Sequence, residues 1–273
     1  MAIKDLLAVV DTGDKGEQFV RDALNFAEFH DARLSFLVLS AIPSTEYAVT
    51  LGPPYAYLQD FTEAVEAKER WLRDRTRLAN VEVRTISDRP AVILTKAAVQ
   101  ARYADMVLFG PAGDYDYPSV RRDTIESIFF ASGRPVLILP SGHEPRPLDH
   151  LAIGWNATRE ATHALREATA IAAPGAQIDI LVLNAQPSTR GHGSEPGASI
   201  AHHLARHGFA ATLIALDGGD RPDALALVES AREQGAALLA LGAYGHSRLR
   251  EMILGGVTHD LLAGAALPLL FAH

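Results

Sequence analysis

The chain has 273 residues and a formal net charge of −8, with 48% hydrophobic and 21% charged residues. This composition is typical of a folded globular protein, and the length suits one large domain or two of ordinary size. Because an acidic protein repels a phosphate backbone, we expect no nucleic-acid partner.

The sequence contains no cysteine. Disulfides, thiolate nucleophiles and cysteine-based metal centres are therefore excluded. The N-terminus carries Lys4 and Asp5 beside only a short apolar run, which is unlike a secretory signal. No later stretch has the length of a membrane span. We therefore expect a cytoplasmic protein without a membrane partner.

Apolar runs alternate with helical patterns through the first half. The predicted strands are residues 6–10, 34–39, 81–86, 105–109 and 135–139. The predicted helices lie near residues 19–27 and 122–132 and over residues 58–79 and 91–104. Residues 43–57, rich in Pro, Gly and Tyr, are predicted to form a loop.

A polar, proline-rich linker at residues 140–147 precedes a second series of elements. The predicted strands are residues 151–155, 178–183, 211–216, 237–241 and 268–271. The predicted helices are residues 159–173, 198–207, 223–234 and 260–263. Residues 187–197 are predicted to form a loop.

Both halves therefore run through the same alternation of strands and helices, which predicts parallel sheets covered by helices on both faces. The matched landmarks are Asp11 with Asn156, Gly110 with Gly242, and Pro135 with Pro268. We predict an α/β fold of two tandem doubly wound domains, residues 1–143 and 148–273, each with a five-stranded parallel sheet. A pseudo-twofold axis is expected to relate them, and a homodimer of such tandem chains is a further expectation.

The most informative segment begins at Gly242, directly after a predicted strand, and follows the pattern G-x2-G-x9-G through Gly245 and Gly255. Glycines allow sharp turns and bring backbone N–H groups close to a ligand. The pair Gly255-Gly256 precedes Val-Thr and a predicted helix, whose free N–H groups attract phosphate. The hydroxyl of Thr258 adds a donor.

Two further residues are expected at the same crevice. Ligands of open parallel sheets bind at the carboxyl ends of the strands, where the strand order reverses. Asn156 follows the first strand of the second half, and Leu183 ends the next one. The alternative interpretations of Asn156 are a turn residue or the cap of the helix that follows, and Asp11 in the first half could equally cap its own following helix.

The glycine segment resembles the ATP-binding loop of universal stress proteins, written G-x2-G-x9-G-(Ser/Thr). Residues 155–161 also resemble the start of the second half of bacterial tandem members, and the order of elements agrees over essentially the whole chain. The resemblance implies an adenine nucleotide alpha-hydrolase-like fold and a regulatory stress-response protein that binds ATP, ADP or AMP. The nucleotide-binding positions it implies are Asn156, Leu183, Gly242, Gly245, Gly255, Gly256, Val257 and Thr258.

The sequence departs from the family's pattern in both halves. Gly256 stands where the family's ATP binders usually have Ser or Thr, and Asn156 replaces the usual Asp, although its amide offers both a donor and an acceptor. In the first half, Arg122 and Asp123 take the places of the second glycine and the hydroxyl. Pro111 also removes an N–H donor. We predict that the first half does not bind ATP in the family's manner.

Other motifs leave no catalytic or metal-binding residue assigned. His203 and His207 share a helix face, but zinc would need a further ligand such as His192, and a solvated face is favoured. Arg121 and Arg122 suggest a basic patch that acidic neighbours offset.

The sequence contains no phosphate loop of the Gly-x4-Gly-Lys-Ser/Thr type, no Gly-x-Ser-x-Gly elbow and no dinucleotide fingerprint. Two alternatives to a nucleotide-binding regulator stay open. One is a ligand-independent scaffold or interaction protein. The other is a slow ATP hydrolase, for which His246 and Asp260 are the nearest candidate bases.

Overall fold

A computed structural model of the chain describes residues 3–42, 54–76, 81–187, 193–243 and 256–273. The chain forms two compact units, Ile3–Val136 and Leu137–His273. The domain limits expected from the sequence, 1–143 and 148–273, stay a prediction.

The N-terminal unit is a parallel sheet with helices between its strands. Its strands are β1 (Asp5–Asp11), β2 (Arg33–Ala41), β3 (Glu82–Asp88) and β4 (Met106–Phe109), in the order β3-β2-β1-β4, and β5 (Val136–Ile138) follows. The entry to β5 lies beside β4, since the Val107 N–H donates to the Pro135 carbonyl at 3.0 Å. Its helices are α1 (Glu17–Phe29), α2 (Pro54–Arg75), α3 (Pro90–Ala101) and α4 (Pro118–Ala131), with a 3-10 turn at Ala112–Asp114.

The C-terminal unit repeats this arrangement. Its strands are β6 (His150–Gly154), β7 (Gln177–Leu183), β8 (Ala210–Leu216), β9 (Leu239–Gly242) and β10 (Leu269–Ala272), all parallel, in the order β10-β9-β6-β7-β8. Its helices are α5 (Arg159–Ile171), α6 (Ala198–Arg206), α7 (Asp223–Glu233) and α8 (Gly256–Leu262). The strand order reverses at β6. The predicted doubly wound α/β fold is confirmed.

The apolar runs at the centre of each sheet become strands that are buried on both faces. All residues of β1 except Asp5 are buried, and all four residues of β4 and of β10 are buried. Helices present one apolar stripe to these faces; in α1 the buried residues recur at helical spacing, as in Phe19, Ala23 and Phe26.

Several predicted boundaries are wrong, mostly at helix starts. Residues 54–57 are helical rather than loop, and α2 ends at Arg75 rather than at residue 79. Pro54 and Pro118 begin α2 and α4 because proline suits the first helical turn, where its missing N–H is not needed. Helix α8 begins at Gly256, four residues earlier than predicted. Residues 43–53 and 188–192 of the predicted loops lie outside the described residues.

A buried polar pair lies near the amino ends of β6 and β7. The Asp179 side chain is fully buried, and its two oxygens lie 2.6 Å from His150 Nε2 and 3.1 Å from Gln177 Nε2. A buried carboxyl group needs such partners because it has lost its water. The pair therefore fixes the start of two strands whose far ends form the candidate site.

We expect the His150→Ala variant to lower the free energy of unfolding by about 1–3 kcal/mol, since it leaves a buried carboxyl group short of one partner. Urea denaturation would measure the change. His202→Ala is the control, because His202 is exposed on α6. Equal stability of the two variants would contradict this role.

Candidate functional site

The described part of the predicted site lies at one edge of the C-terminal sheet. Gly242 and Leu183 are the last residues of β9 and β7, and Asn156 lies two residues beyond β6. Strand β6 runs between the other two, with Gly154 in register with both Leu181 and Leu241. The three predicted residues thus follow three adjacent carboxyl ends, at the strand where the order reverses.

Gly242 has a packing reason to be glycine. A β-carbon at this position would lie 2.5 Å from the Ala161 nitrogen and 2.6 Å from the Glu160 carbonyl carbon, both in the backbone of the first turn of α5. The end of β9 therefore lies directly against the helix that follows β6. This close approach, rather than contact with a ligand alone, accounts for the first glycine of the motif.

The turn between β6 and α5 presents Asn156 to solvent. The Oδ1 atom of Asn156 accepts from the Thr158 hydroxyl at 2.8 Å and from the Thr158 N–H at 3.3 Å. Ala157 between them has a φ of 57°, in the left-handed region. Thr158 caps α5 by accepting from the Ala161 N–H at 3.2 Å. Asn156 is therefore a turn residue, and its interpretation as the helix cap is wrong.

Leu183 lies at the neighbouring strand end, half-buried and in register with Leu216 of β8. The next residue, Asn184, has a φ of 50° and accepts from the Gly218 N–H through Oδ1 at 3.0 Å. This contact ties the ends of β7 and β8 together and fixes the backbone beside Leu183.

The second part of the glycine motif is described only from Gly256 onward. Gly256, Val257 and Thr258 form the first turn of α8 rather than preceding a helix. Thr258 is 6% exposed, so its hydroxyl faces the fold more than the solvent. Asp260, a candidate base, lies 3.3 Å from Nδ1 of its neighbour His259. Gly245, His246 and Gly255 lie outside the described residues.

The equivalent edge of the N-terminal sheet is closed by a cluster that we call the N-terminal latch: Asp11, Lys68, Arg121 and residues 110–117. Asp11, at the end of β1, is 5% exposed. Its Oδ2 accepts from the backbone N–H groups of Asp116 and Tyr117 at 2.8 and 3.0 Å, and its Oδ1 accepts from Gly13 at 3.1 Å. Asp11 does not cap α1, whose cap position is Gly16.

Gly110, at the end of β4, also has partners within the latch. Its N–H donates to the Tyr115 hydroxyl at 3.2 Å, and that hydroxyl donates to the Val9 carbonyl at 2.6 Å. Arg121 donates to the Gly110 carbonyl through Nε and Nη2, at 3.0 and 2.6 Å. Burial raises the pKa of Tyr115 and lowers that of Arg121. Arg121 is thus a buried support of β4, and its interpretation as part of a surface patch is wrong.

Lys68 of α2 completes the latch from the side. Its buried ammonium donates to the carbonyls of Gly13 and Lys15, at 2.6 and 3.3 Å. Burial lowers the pKa of Lys68, and the carboxylates of Asp11, Asp14 and Asp116 partly offset this change. Asp116 in turn accepts from the Asp14 N–H at 2.9 Å and pairs with Lys15 at 3.1 Å.

The sequence predicted that Asp11 lies at this strand end, but not which residues close the crevice beside it. Arg122 and Asp123 lie in the second turn of α4, where Arg122 pairs with Asp123 and Glu126. The groups that close this crevice are instead Tyr115 and the backbone of residues 116–117. A tyrosine placed shortly after a strand-end glycine was the available signal.

The described residues offer few other candidates for metal binding or catalysis. The rings of His203 and His207 lie 4.6 Å apart at the end of α6, where His207 is the C-cap residue. Within the described ranges no group of three potential ligands could hold a metal ion. His192 lies outside those ranges. No described helix is long and apolar enough to cross a bilayer.

Known proteins share this fold over almost the whole chain. Residues 147–273 match the model of the Universal stress protein family. A universal stress protein from Archaeoglobus fulgidus DSM 4304 is 14% identical with a TM-score of 0.68, over 97% of this chain and 95% of that chain. A candidate universal stress protein from Pseudomonas aeruginosa UCBPP-PA14 is 15% identical with a TM-score of 0.59, over 99% and 93%.

A functionally unknown protein from Pseudomonas aeruginosa PAO1 is 13% identical with a TM-score of 0.52, over 99% of this chain and 92% of that chain. At such identities these likenesses show the fold alone. No curated protein sequence matches the chain.

The Gly242→Ala variant should lower the free energy of unfolding by about 1–3 kcal/mol, because the added methyl group meets backbone that cannot move independently. Gly113→Ala is the matched control, since a β-carbon there meets nothing within 4 Å. Thermal denaturation of both variants would measure the difference. A stable Gly242→Ala protein would contradict the packing account.

Asp114 gives the latch a predicted pH dependence. Its Oδ2 is buried and has no hydrogen-bond partner within the described residues. Burial, and then the nearby Asp22, raise the pKa of Asp114 above 3.8, while Arg121 opposes them. The folded chain therefore holds this proton more tightly than the unfolded chain, so stability falls as pH rises through the interval above 3.8.

The Asp114→Asn variant cannot ionise and should show a smaller fall, with a higher melting temperature than the wild type at neutral pH. Melting curves from pH 4 to 7 would test this. Asp220→Asn, at an exposed loop position, is the control. A wild-type pH profile that Asp114→Asn leaves unchanged would contradict the prediction.

Proposed function

We propose that this chain, whose C-terminal half belongs to the universal stress protein family, is a stress-response protein that binds an adenine nucleotide in that half. ATP, ADP and AMP are the candidate ligands, and the role is regulatory rather than catalytic. One observation carries the proposal: Asn156, Leu183 and Gly242 follow three adjacent strand ends at the point where the strand order reverses.

The proposed binding mode follows from the chemistry of these positions. Asn156 is exposed, and its amide group can bond to an adenine edge, which offers both donors and acceptors. In this binding mode Leu183 makes an apolar contact with the adenine base, and the backbone of Leu183 lies beside the base. The phosphates would lie at the glycine segment that leads into α8, where backbone N–H groups favour negative charge. Gly256 supplies an N–H group there but no hydroxyl.

The proposal assigns no nucleotide to the N-terminal half. Both oxygens of Asp11 and both backbone groups of Gly110 already have partners inside the latch. A nucleotide would have to displace the Asp116 and Tyr117 N–H groups and place its phosphates near Asp14 and Asp116. Losing charge-assisted hydrogen bonds and bringing like charges together both oppose this. We therefore propose one nucleotide per chain.

Isothermal titration of the purified protein with ATP, ADP and AMP tests the proposal, with an expected stoichiometry of one. Asn156→Ala should weaken binding by about 3- to 10-fold, as expected for one lost hydrogen bond. Asp11→Asn is the matched variant of the N-terminal half and should leave the affinity unchanged. No binding of any nucleotide at millimolar concentration would favour the ligand-independent scaffold instead.

Gly256→Ser gives a gain-of-function test of the same site. A hydroxyl at the phosphate end should tighten ATP binding by about 3- to 10-fold, the value of one additional hydrogen bond. Gly256→Ala adds the β-carbon without the hydroxyl and separates the two effects. Equal affinities for the Ser and Ala variants would place the phosphates elsewhere.

A further inference from the structure

The edge strand β8 of the C-terminal sheet carries no charged residue. It reads Ala-Ala-Thr-Leu-Ile-Ala-Leu from Ala210 to Leu216, and four of these residues are exposed. Leu213, at its centre, keeps 41% of its surface exposed. Within the described residues, β7 is the one strand that pairs with β8. Such an edge is a template for another strand.

The hydrogen bonds to β7 show which backbone groups of β8 face outward. The Ala210 N–H donates to Ala176, and the Leu216 carbonyl accepts from Asn184, at 3.0 and 2.9 Å. In a parallel ladder, alternate residues direct both backbone groups to the same neighbour. The even-numbered residues therefore bond to β7. Ala211, Leu213 and Ala215 direct their N–H and C=O groups away from it.

We propose that β8 pairs in antiparallel fashion with β8 of a second copy of this chain, about a twofold axis at Leu213. In this register Leu213 lies opposite Leu213 of the second copy, and Ala211 lies opposite Ala215. Residues with outward-facing groups then meet in hydrogen-bonded pairs, each of which exchanges two backbone hydrogen bonds. The interaction satisfies the outward-facing groups of both copies at once.

The composition of β8 suits a partner identical to itself. A twofold interface places each residue against the same surface of the other copy, so it must be self-complementary. Pairing about Leu213 sets Thr212 against Ile214 and Ala210 against Leu216, without any charge. Two chains that each carry a net charge of −8 repel one another over most of their surface, and an uncharged strip limits that repulsion.

The corresponding edge of the N-terminal sheet lacks this property. Strand β3 pairs with β2, and Asp88 directs its carbonyl inward, to the Ile42 N–H at 2.9 Å. Its outward residues are therefore Val83, Thr85 and Ser87. Self-pairing about Thr85 would place Glu82 opposite Asp88 of the other copy, and like charges in that position are destabilising. Strand β3 thus serves as an internal control.

Sedimentation equilibrium over a wide concentration range tests the proposal. The wild type should reach a mass twice the 29.4 kDa of one chain. Leu213→Lys should raise the dimer dissociation constant at least tenfold, because two ammonium groups would meet at the axis. Ala215→Pro should do the same, since it removes an outward N–H without removing a hydrogen bond to β7. Val83→Lys on β3 should leave the dimer intact.

Amide exchange gives a second readout that is independent of the variants. The outward N–H of Leu213 should exchange slowly at concentrations where the dimer forms and quickly on dilution, while the inward N–H of Thr212 stays protected throughout. Three results would overturn the proposal: a wild type that stays monomeric, two β8 variants that dimerise as the wild type does, or assembly beyond the dimer. Nucleotide binding is scored separately, so neither result depends on the other.

Discussion

The carboxylate of Asp11 sets the difference between the two halves of this chain. It lies at a strand end where doubly wound sheets bind ligands, yet both of its oxygens accept backbone N–H groups of the chain itself. Hydrogen bonds to an ionised group are the stronger kind, so this arrangement holds residues 116–117 over the crevice. Gly110, Tyr115 and Arg121 depend on the same closure, because each completes its hydrogen bonds inside it.

Among the described residues of the C-terminal half, no such closure reaches the matching residue, Asn156. Asn156 is neutral, and its side-chain oxygen accepts from Thr158 within its own turn. At the neighbouring strand end, Gly242 lets β9 pack directly against α5. The N-terminal copy of the duplicated fold thus satisfies the Asp11 carboxylate internally, whereas the described part of the C-terminal copy leaves Asn156 exposed. This asymmetry is the physical basis for proposing one ligand per chain.

The sequence was sufficient to predict the fold. Apolar runs buried on both faces predicted the strands, and their alternation with helices predicted two doubly wound units. Helix starts were less accurate. Pro54 was predicted to lie in a loop, and the helix that begins at Pro118 was placed near residues 122–132, although proline also suits a first helical turn. The N-cap role of Thr158 was missed, since the neighbouring Asn156 has equal capping chemistry.

Contacts between segments that are distant in the chain could not be predicted from the sequence. Nothing local shows that Tyr115 reaches Val9 or that the Arg121 guanidinium is buried against Gly110, since both depend on how distant segments pack. The need for glycine at 242 likewise comes from Glu160 and Ala161, about eighty residues earlier in the chain. Part of the reason for the first glycine of the motif is therefore packing.

A crystal structure of the protein grown with ATP tests the central claim most directly. The account predicts electron density for a nucleotide between Asn156 and the residues that lead into α8, with the N-terminal latch unchanged and no ligand beside Asp11. Density beside Asp11, with residues 116–117 displaced and the C-terminal edge empty, would contradict it.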